Sequence, residues 1–350
     1  MDPDLRQKIE QNYGFLVLGI EPITHSKSGL IYRLDTSQGK RILKGHEPAF
    51  NRERLALQHD TIRRLRSAGM LMFPEVYPAT EAGGQGPDSL EASTLFTHAG
   101  NNFGVYEFKE GEFYSWNDEE LQDLAVVLAR FHQACAEDRN ASRHWKGDPS
   151  AQLANLAQLK EYLSPAPETG QSREVKVALD RLRLHLADYE RLLTEACADQ
   201  ALEATFRDWT MIHGDLHQKN VLFLDHKVNG ILDLDSIRPG KRVYDVAFVM
   251  GEFTSMYGSE EKNFAFVQHD PEKAALFLRT YQEANPLSGP FLKAIYLMQM
   301  GRFIERIAYE LKTAAVDEKK DGAITELVNV IERFPGSYQA ITDSLGELGK

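Results

Sequence analysis

Two apolar runs joined by one polar turn restrict this chain more than any other feature. The first is Met211-Ile212-His213-Gly214-Asp215-Leu216-His217-Gln218-Lys219-Asn220-Val221-Leu222-Phe223. It offers an apolar entry, a histidine-glycine turn, an aspartate, and an asparagine five positions later that opens an apolar strand. The second run, Gly230-Ile231-Leu232-Asp233-Leu234-Asp235-Ser236, ends a strand on two aspartates, the first of them thirteen residues after Asn220. Residues 225–230 between them form the turn of an expected hairpin, which would bring Asn220 and Asp233 together.

That juxtaposition has a chemical meaning. Magnesium takes hard oxygen ligands, keeps several waters, and is held by one or two carboxylates together with phosphate oxygens. A carboxylate five residues ahead of an asparagine can sit beside an attacking hydroxyl while the amide oxygen reaches a metal on ATP. Each segment taken alone also reads as a turn or a helix cap. Their order, spacing and shared hairpin favour a single phosphate-handling site, with Asp215 at the reacting hydroxyl and Asn220 and Asp233 on the metal.

The rest of the chain divides by periodicity. Residues 15–23, 30–34 and 40–44 read as three strands of an antiparallel meander, and 93–98 and 104–108 as two more. Residues 51–68 carry a helical period through Leu55, Ile62 and Leu65, stopped by Gly69. Beyond Gly111 helices dominate. Asn117 with Glu120 resembles a capping box ahead of the stripe Leu121, Leu124, Leu128 and Phe131. Further helical patterns span 150–163, 172–198, 271–284, 290–313 and 322–333. Length and this shift in period predict an α+β chain of two domains, 1–106 and 107–350.

HGDLHQKNVLF followed by GILDLDSIRPGKRVYDVAF resembles the aminoglycoside phosphotransferase and choline kinase family. The resemblance implies a two-lobed protein-kinase-like fold, with an antiparallel sheet in the N-terminal lobe and helices in the C-terminal one. It implies ATP and Mg2+ as cofactors, and a small molecule with a hydroxyl group as acceptor: a sugar, an amino sugar, an aminoglycoside or an amino alcohol. Asp215 matches the family's catalytic base, Asn220 and Asp233 its magnesium ligands, and Asp245 the aspartate that braces the catalytic loop through backbone hydrogen bonds. Asp235 would support the site from behind, His213 would shape the loop, and His217 would either shape it too or touch the acceptor or the γ-phosphate.

In the same frame Lys44, closing the third strand, takes the place of the lysine that grips the ATP phosphates, and Glu53 in the following helix is its expected partner. The turn Ser26-Lys27-Ser28-Gly29 would cover the phosphates with its amides and the Ser26 and Ser28 hydroxyls, although it also reads as an ordinary hairpin turn. Glu107 and Phe108 stand in the hinge segment where backbone groups would meet adenine. Arg302 and Glu305 read first as members of an intrahelical pairing near Glu310 and Lys312, and second as polar groups facing the acceptor. Residues 255–270 are either a wall over the acceptor or a plain loop.

Composition removes several classes. A formal net charge of −12 argues against nucleic acid as a partner, because phosphate backbones must be met by basic residues. Cys135 and Cys197 are the two cysteines, too few for a disulfide framework or a cysteine zinc site, which points to a reducing, cytoplasmic setting. No run approaches the roughly 18 apolar residues of a membrane span, and the N-terminus lacks the pattern of a signal peptide. Two rivals stay open, a protein serine/threonine kinase on the same scaffold and a nucleotide-binding regulatory protein without transfer activity. Oligomeric state is left open.

Overall fold

The structure is a computed structural model that describes residues 2–23, 30–47, 52–79, 94–136, 149–163, 173–257, 266–314 and 321–346. In chain order it begins with α1 (Pro3–Tyr13), β1 (Val17–Pro22), β2 (Ile31–Thr36), β3 (Gly39–His46), α2 (Arg52–Ser67), β4 (Leu95–His98) and β5 (Asn101–Glu107). Next come α3 (Asp118–Ala134), α4 (Pro149–Tyr162), α5 (Arg173–Ala198), α6 (Gln200–Phe206) and β6 (Trp209–Ile212). A hairpin of β7 (Val221–Leu224) and β8 (Lys227–Ile231) leads to β9 (Arg238–Lys241) and α7 (Arg242–Thr254). The chain closes with β10 (Ser255–Tyr257), β11 (Phe266–His269), α8 (Pro271–Ala284), α9 (Phe291–Ala314) and α10 (Asp321–Leu345).

The fold is α+β and kinase-like, and it separates into two compact units. The first comprises Met1–Ser115 with Lys219–Ile237, and the second Trp116–Gln218 with Arg238–Lys350. The first unit therefore ends near residue 115 and takes in the β7–β8 hairpin, where the sequence reading drew one line at 106/107.

In the first unit, β1 to β5 form an antiparallel sheet of order β1-β2-β3-β5-β4. Asp2 caps α1 by accepting the Asp4 N–H at 3.0 Å, and Pro3 occupies a first-turn position that needs no N–H donor. The helix lays Leu5 and Ile9 on one face of the sheet, against Phe15, Val17, Leu34, Leu43, Phe96, Phe103 and Val105. Burying each such side chain is worth roughly 1.5–3 kcal/mol, so this layer fixes the register of β3 between β2 and β5. Lys44 thereby stands opposite Ile31 on one side and Gly104 on the other.

In the second unit, Asn117 caps α3 by accepting the Glu119 N–H at 2.7 Å, and the stripe Leu121, Leu124, Leu128 and Phe131 is buried. Helix α6 and strands β9 to β11 had no counterpart in the sequence reading, and two further helices differ from it. Residues 242–254, given no helix, form α7, whose side chains are buried nearly all round, so no amphipathic period marks it. The helix expected to stop at 333 runs to Leu345 through Pro335. Proline there removes one hydrogen bond, but Phe334, Ile341 and Leu345 are buried, and Phe334 stacks on Tyr296 at 5.2 Å, so packing carries the helix onward. No described helix is long and apolar enough to cross a membrane.

Candidate active site

The hairpin of the first unit is built by a two-residue turn. Asp225 and His226 both take positive φ, 50° and 59°, which matches the strand twist and ties Leu224 opposite Lys227. An irregularity between Leu222 and Phe223 shifts the ladder, and the Leu232 N–H then donates to the Asn220 carbonyl at 2.8 Å. That bond brings Asn220 beside the residue preceding Asp233. Strand β7 is anchored a second time, because Glu112 and Phe223 exchange two backbone hydrogen bonds of 2.8 Å each. Gly111 makes this approach possible: its φ is +144°, and a Cβ there would stand 2.6 Å from the Phe223 carbonyl oxygen.

Asp233 ends the hairpin in the left-handed region, φ 53° and ψ 60°, ahead of a 3-10 turn at Leu234–Ser236. Its carboxylate makes no cap for that turn. Instead the Lys44 ammonium donates to Asp233 Oδ1 at 2.8 Å and lies 2.7 Å from Asp235 Oδ1. Burial works against the Lys44 charge, but Asp235 and Asp233 outweigh it and hold its pKa above the ordinary lysine value. Asp235, expected in a supporting place, thus contacts Lys44 directly and also accepts from Gln58 of α2 at 3.4 Å. Glu53, the expected partner of Lys44, lies in the first turn of α2, and its side chain lies outside the described residues. Ser26 and Ser28 lie outside them too.

At the hinge segment, Glu107 is committed to structure. Its carboxylate accepts from Arg66 at 2.8 Å and Lys109 at 2.9 Å, and its N–H donates to the Glu75 carbonyl at 2.8 Å. Phe108 lies under the Lys40 ammonium, 5.3 Å from the ring centroid.

Within the second unit the loop carrying Asp215 is fixed at both ends by α7. Asp245, in the first turn of that helix and wholly buried, accepts the His213 N–H at 2.8 Å on Oδ2 and the Gly214 N–H at 2.9 Å on Oδ1. This is the bracing that the resemblance implied. His132 of α3 adds a contact of 3.3 Å to Oδ2, and its other nitrogen lies 2.7 Å from the Tyr281 hydroxyl. An ionised carboxylate only accepts, so Nε2 carries the proton and Nδ1 accepts from Tyr281. Burial opposes the charge on Asp245, yet the groups donating to it keep its pKa below the usual carboxylate range. Burial lowers the pKa of His132, which stays neutral. Gly214 takes φ +76°, the left-handed step that turns the chain toward Asp215. Two helical turns further along α7, the Glu252 carbonyl accepts from Gln218 at 2.6 Å and holds the far end of the loop.

Asp215 is half-buried and lines a cleft of about 520 Å³ with His217, Tyr244, Phe248, Glu252, Gln299 and Arg302, among others. That volume is of the size that takes a small molecule. Arg302 does not follow the intrahelical reading. It crosses to α7, donating to Glu252 at 3.1 Å and standing 3.8 Å over the Phe248 ring. Glu305 likewise reaches α4, accepting from Asn155 at 3.1 Å. The sequence lacked a signal for the Arg302 pairing because α7 itself was not legible there. In the stretch of residues 255–270, the segments β10 and β11 pair antiparallel.

No group of three or more His, Cys, Asp or Glu side chains that could hold a metal ion occurs among the described residues. One asparagine and one or two aspartates, all oxygen donors, suit a magnesium ion that completes its shell with phosphate and water.

The model of the phosphotransferase enzyme family matches residues 19–287, well over half the chain. A homoserine kinase of Acidiphilium cryptum (strain JF-5) is 31% identical over 110 residues, covering 30% of this chain and 32% of that protein. The chain thus spans about a third of that relative's length. Among solved structures, an aminoglycoside phosphotransferase from Alicyclobacillus acidocaldarius superposes with a TM-score of 0.67 at 18% identity, covering 95% of this chain and 92% of the other. An amicoumacin kinase in complex with AMP-PNP, Ca2+ and Ami gives 0.62 at 18% identity, covering 95% and 93%. At such identities the likeness is one of fold.

Proposed function

Because the chain belongs to the phosphotransferase enzyme family, we propose that it is an ATP- and magnesium-dependent kinase transferring the γ-phosphate to a hydroxyl of a small molecule. The observation that carries this reading is Asp215 set on the wall of a small-molecule cleft by a loop that a buried aspartate grips at two backbone amides.

Phosphoryl transfer passes through a loose transition state, so positioning and electrostatics supply most of the rate. Asp215 orients the acceptor hydroxyl toward the γ-phosphorus and takes its proton late, as the new O–P bond forms and ADP leaves. Its role rests on placement, which Asp245 and the Gln218–Glu252 bond enforce.

The first unit supplies the nucleotide side. Asn220 and Asp233 hold magnesium, which when bound offsets charge on the phosphate oxygens. Lys44 exchanges its contacts with Asp233 and Asp235 for the α- and β-phosphates, with Glu53 beside it. Ser26 and Ser28 cover the phosphates, and the hinge at Glu107 and Phe108 meets adenine through groups other than the Glu107 N–H, which is already donated to Glu75. The fold, charge and cysteine content suit a cytoplasmic enzyme.

The test is transfer from labelled ATP with magnesium to a panel of sugars, amino sugars, amino alcohols and proteins, with Asp215→Asn as control. Activity should fall more than roughly a hundredfold in the control. Robust transfer by Asp215→Asn, or full activity without a divalent metal, would sink the assignment.

A further inference from the structure

The lining of the Asp215 cleft carries both signs of charge, and we infer that the acceptor is a zwitterionic alcohol, one bearing a carboxylate and an ammonium group, with Arg302 as its carboxylate anchor. This rests on the phosphotransferase reading and narrows its acceptor.

Besides Asp215, the charged groups on the cleft are Glu252 and Glu305 against Arg302 and Arg306. A polycation such as an aminoglycoside calls for a surplus of available acids. Here Glu252 is engaged by Arg302, and Glu305 is exposed and accepts from Asn155. A neutral sugar calls for a ring of amides and hydroxyls, whereas half of the remaining wall is aromatic: Tyr244, Phe248, Phe303 and Tyr309.

Arg302 is set up in advance for an anion. Its guanidinium plane lies 3.8 Å from the Phe248 ring centroid, and one of its five donors goes to Glu252 at 3.1 Å. Among the described residues Glu252 is its one hydrogen-bond acceptor. A planar fork already held on one edge and one face loses little freedom when it takes a carboxylate on the other edge. Gly251 gives the neighbouring Gln299 room, since a Cβ there would stand 2.9 Å from Gln299 Nε2.

Gln299 lies on the same helix face, three residues ahead of Arg302, and is 2% exposed. Its Nε2 donates to the Ala247 carbonyl at 2.9 Å, which fixes the amide orientation. Its Oε1 is buried with no protein donor among the described residues. A buried acceptor without a donor is costly, and an ammonium hydrogen of the acceptor molecule satisfies it.

The experiment uses the full chain with ATP and magnesium. The acceptors are serine, homoserine and 5-hydroxynorvaline, with 3-aminopropan-1-ol lacking the carboxylate, 4-hydroxybutyrate lacking the amine, glucose, and one aminoglycoside. At least one zwitterion should exceed every other acceptor in kcat/KM by about 30-fold or more, the scale of one charge-assisted contact. Arg302→Gln should collapse the ratio between homoserine and 3-aminopropan-1-ol to near unity. Arg302→Lys, which keeps the charge beside Glu252, should leave a partial ratio, with thermal melts confirming that both variants fold. Equilibrium dialysis of labelled homoserine against Asp215→Asn without ATP reads binding apart from transfer. Binding that depends on Arg302 without any transfer in the parent enzyme keeps this inference and refutes the kinase reading. Transfer to neutral or polycationic acceptors as good as to zwitterions, or an acceptor ratio indifferent to Arg302, overturns the inference and keeps the kinase. Neither binding of a zwitterion nor transfer to any acceptor on the panel overturns both.

Discussion

Replacing Asp245 by asparagine changes one atom type in a site with no solvent to absorb the change. The carboxylate is wholly buried and accepts the His213 and Gly214 N–H groups at 2.8 and 2.9 Å, with His132 at 3.3 Å. Asparagine keeps the volume and one acceptor oxygen, but it points an NH2 donor at a backbone or imidazole N–H. Hydrogen bonds to a charged group are worth about 1.5–3 kcal/mol each, and a buried donor left unsatisfied costs about 1–3 kcal/mol. Because the losses overlap, the expected destabilisation is about 3–5 kcal/mol, the range found when one side of a buried charge network is removed. That is a large share of a typical stability of about 5–15 kcal/mol. Urea unfolding followed by circular dichroism reads it directly. The second effect is on rate: Asp215 follows the tethered amides, and a displacement of about 1 Å costs on the order of a hundredfold. The kcat of the folded fraction, measured well below the unfolding midpoint, should drop by that order. A stability loss below about 1 kcal/mol with kcat within threefold of the parent would refute the bracing role.

Gly111→Ala forces a side chain into a positive-φ position 2.6 Å from the Phe223 carbonyl, and should lower stability by about 2–4 kcal/mol. Gly100→Ala, at φ +82° with nothing within 4 Å, should cost about 1 kcal/mol, and equal melting temperatures for the pair would contradict the close approach. Lys44→Met removes the cation between Asp233 and Asp235 and should reduce kcat/KM for ATP roughly a hundredfold or more; a change under fivefold in steady-state assays would exclude a phosphate-binding role. His59 is held neutral by burial, with its pKa pushed down from 6.5 to about 3 between Thr94 and Tyr106. The unfolded chain binds that proton near pH 6.5 and the folded chain does not. The stability this supports is complete above pH 6.5 and falls by roughly 1 kcal/mol per unit as pH drops toward 3. His59→Gln should flatten the melting temperature between pH 7 and 5, and an unchanged slope would show that other groups carry the acid sensitivity.

Much of the frame was readable because it is written in local terms. Alternating apolar residues and turn signals gave the five-stranded sheet, and the helical period gave α8 over Pro271–Ala284. The hairpin that joins Asn220 to the Asp233 segment was readable from its spacing alone. What escaped depends on neighbours far off in sequence. Helix α7 has no polar face to announce it, and α10 continues past Pro335 because its later turns are buried. The contacts of Lys44 with Asp233 and Asp235 span nearly two hundred residues, and Arg302 reaches an aromatic ring and a glutamate on another helix. Partners chosen by tertiary packing leave no periodic trace.

The division of the chain also bears on how it comes to be folded. The pairing of Lys44 with Asp233 spans 189 residues, and the β7–β8 hairpin completes a body whose remaining strands are made more than a hundred residues earlier. On a ribosome the first sheet emerges long before the segment that Gly111 and Glu112 must receive, and the second body is interrupted in mid-synthesis by that excursion. Strands β6 and β9, paired from Trp209↔Lys241 to Ile212↔Arg238, close the neck of the excursion, so it departs and returns at neighbouring points. A fragment ending near residue 115 would therefore contain every strand of the five-stranded sheet and still lack the acids beside Lys44. Such a chain should emerge slow to mature and dependent on chaperones until residue 237 is free of the exit tunnel.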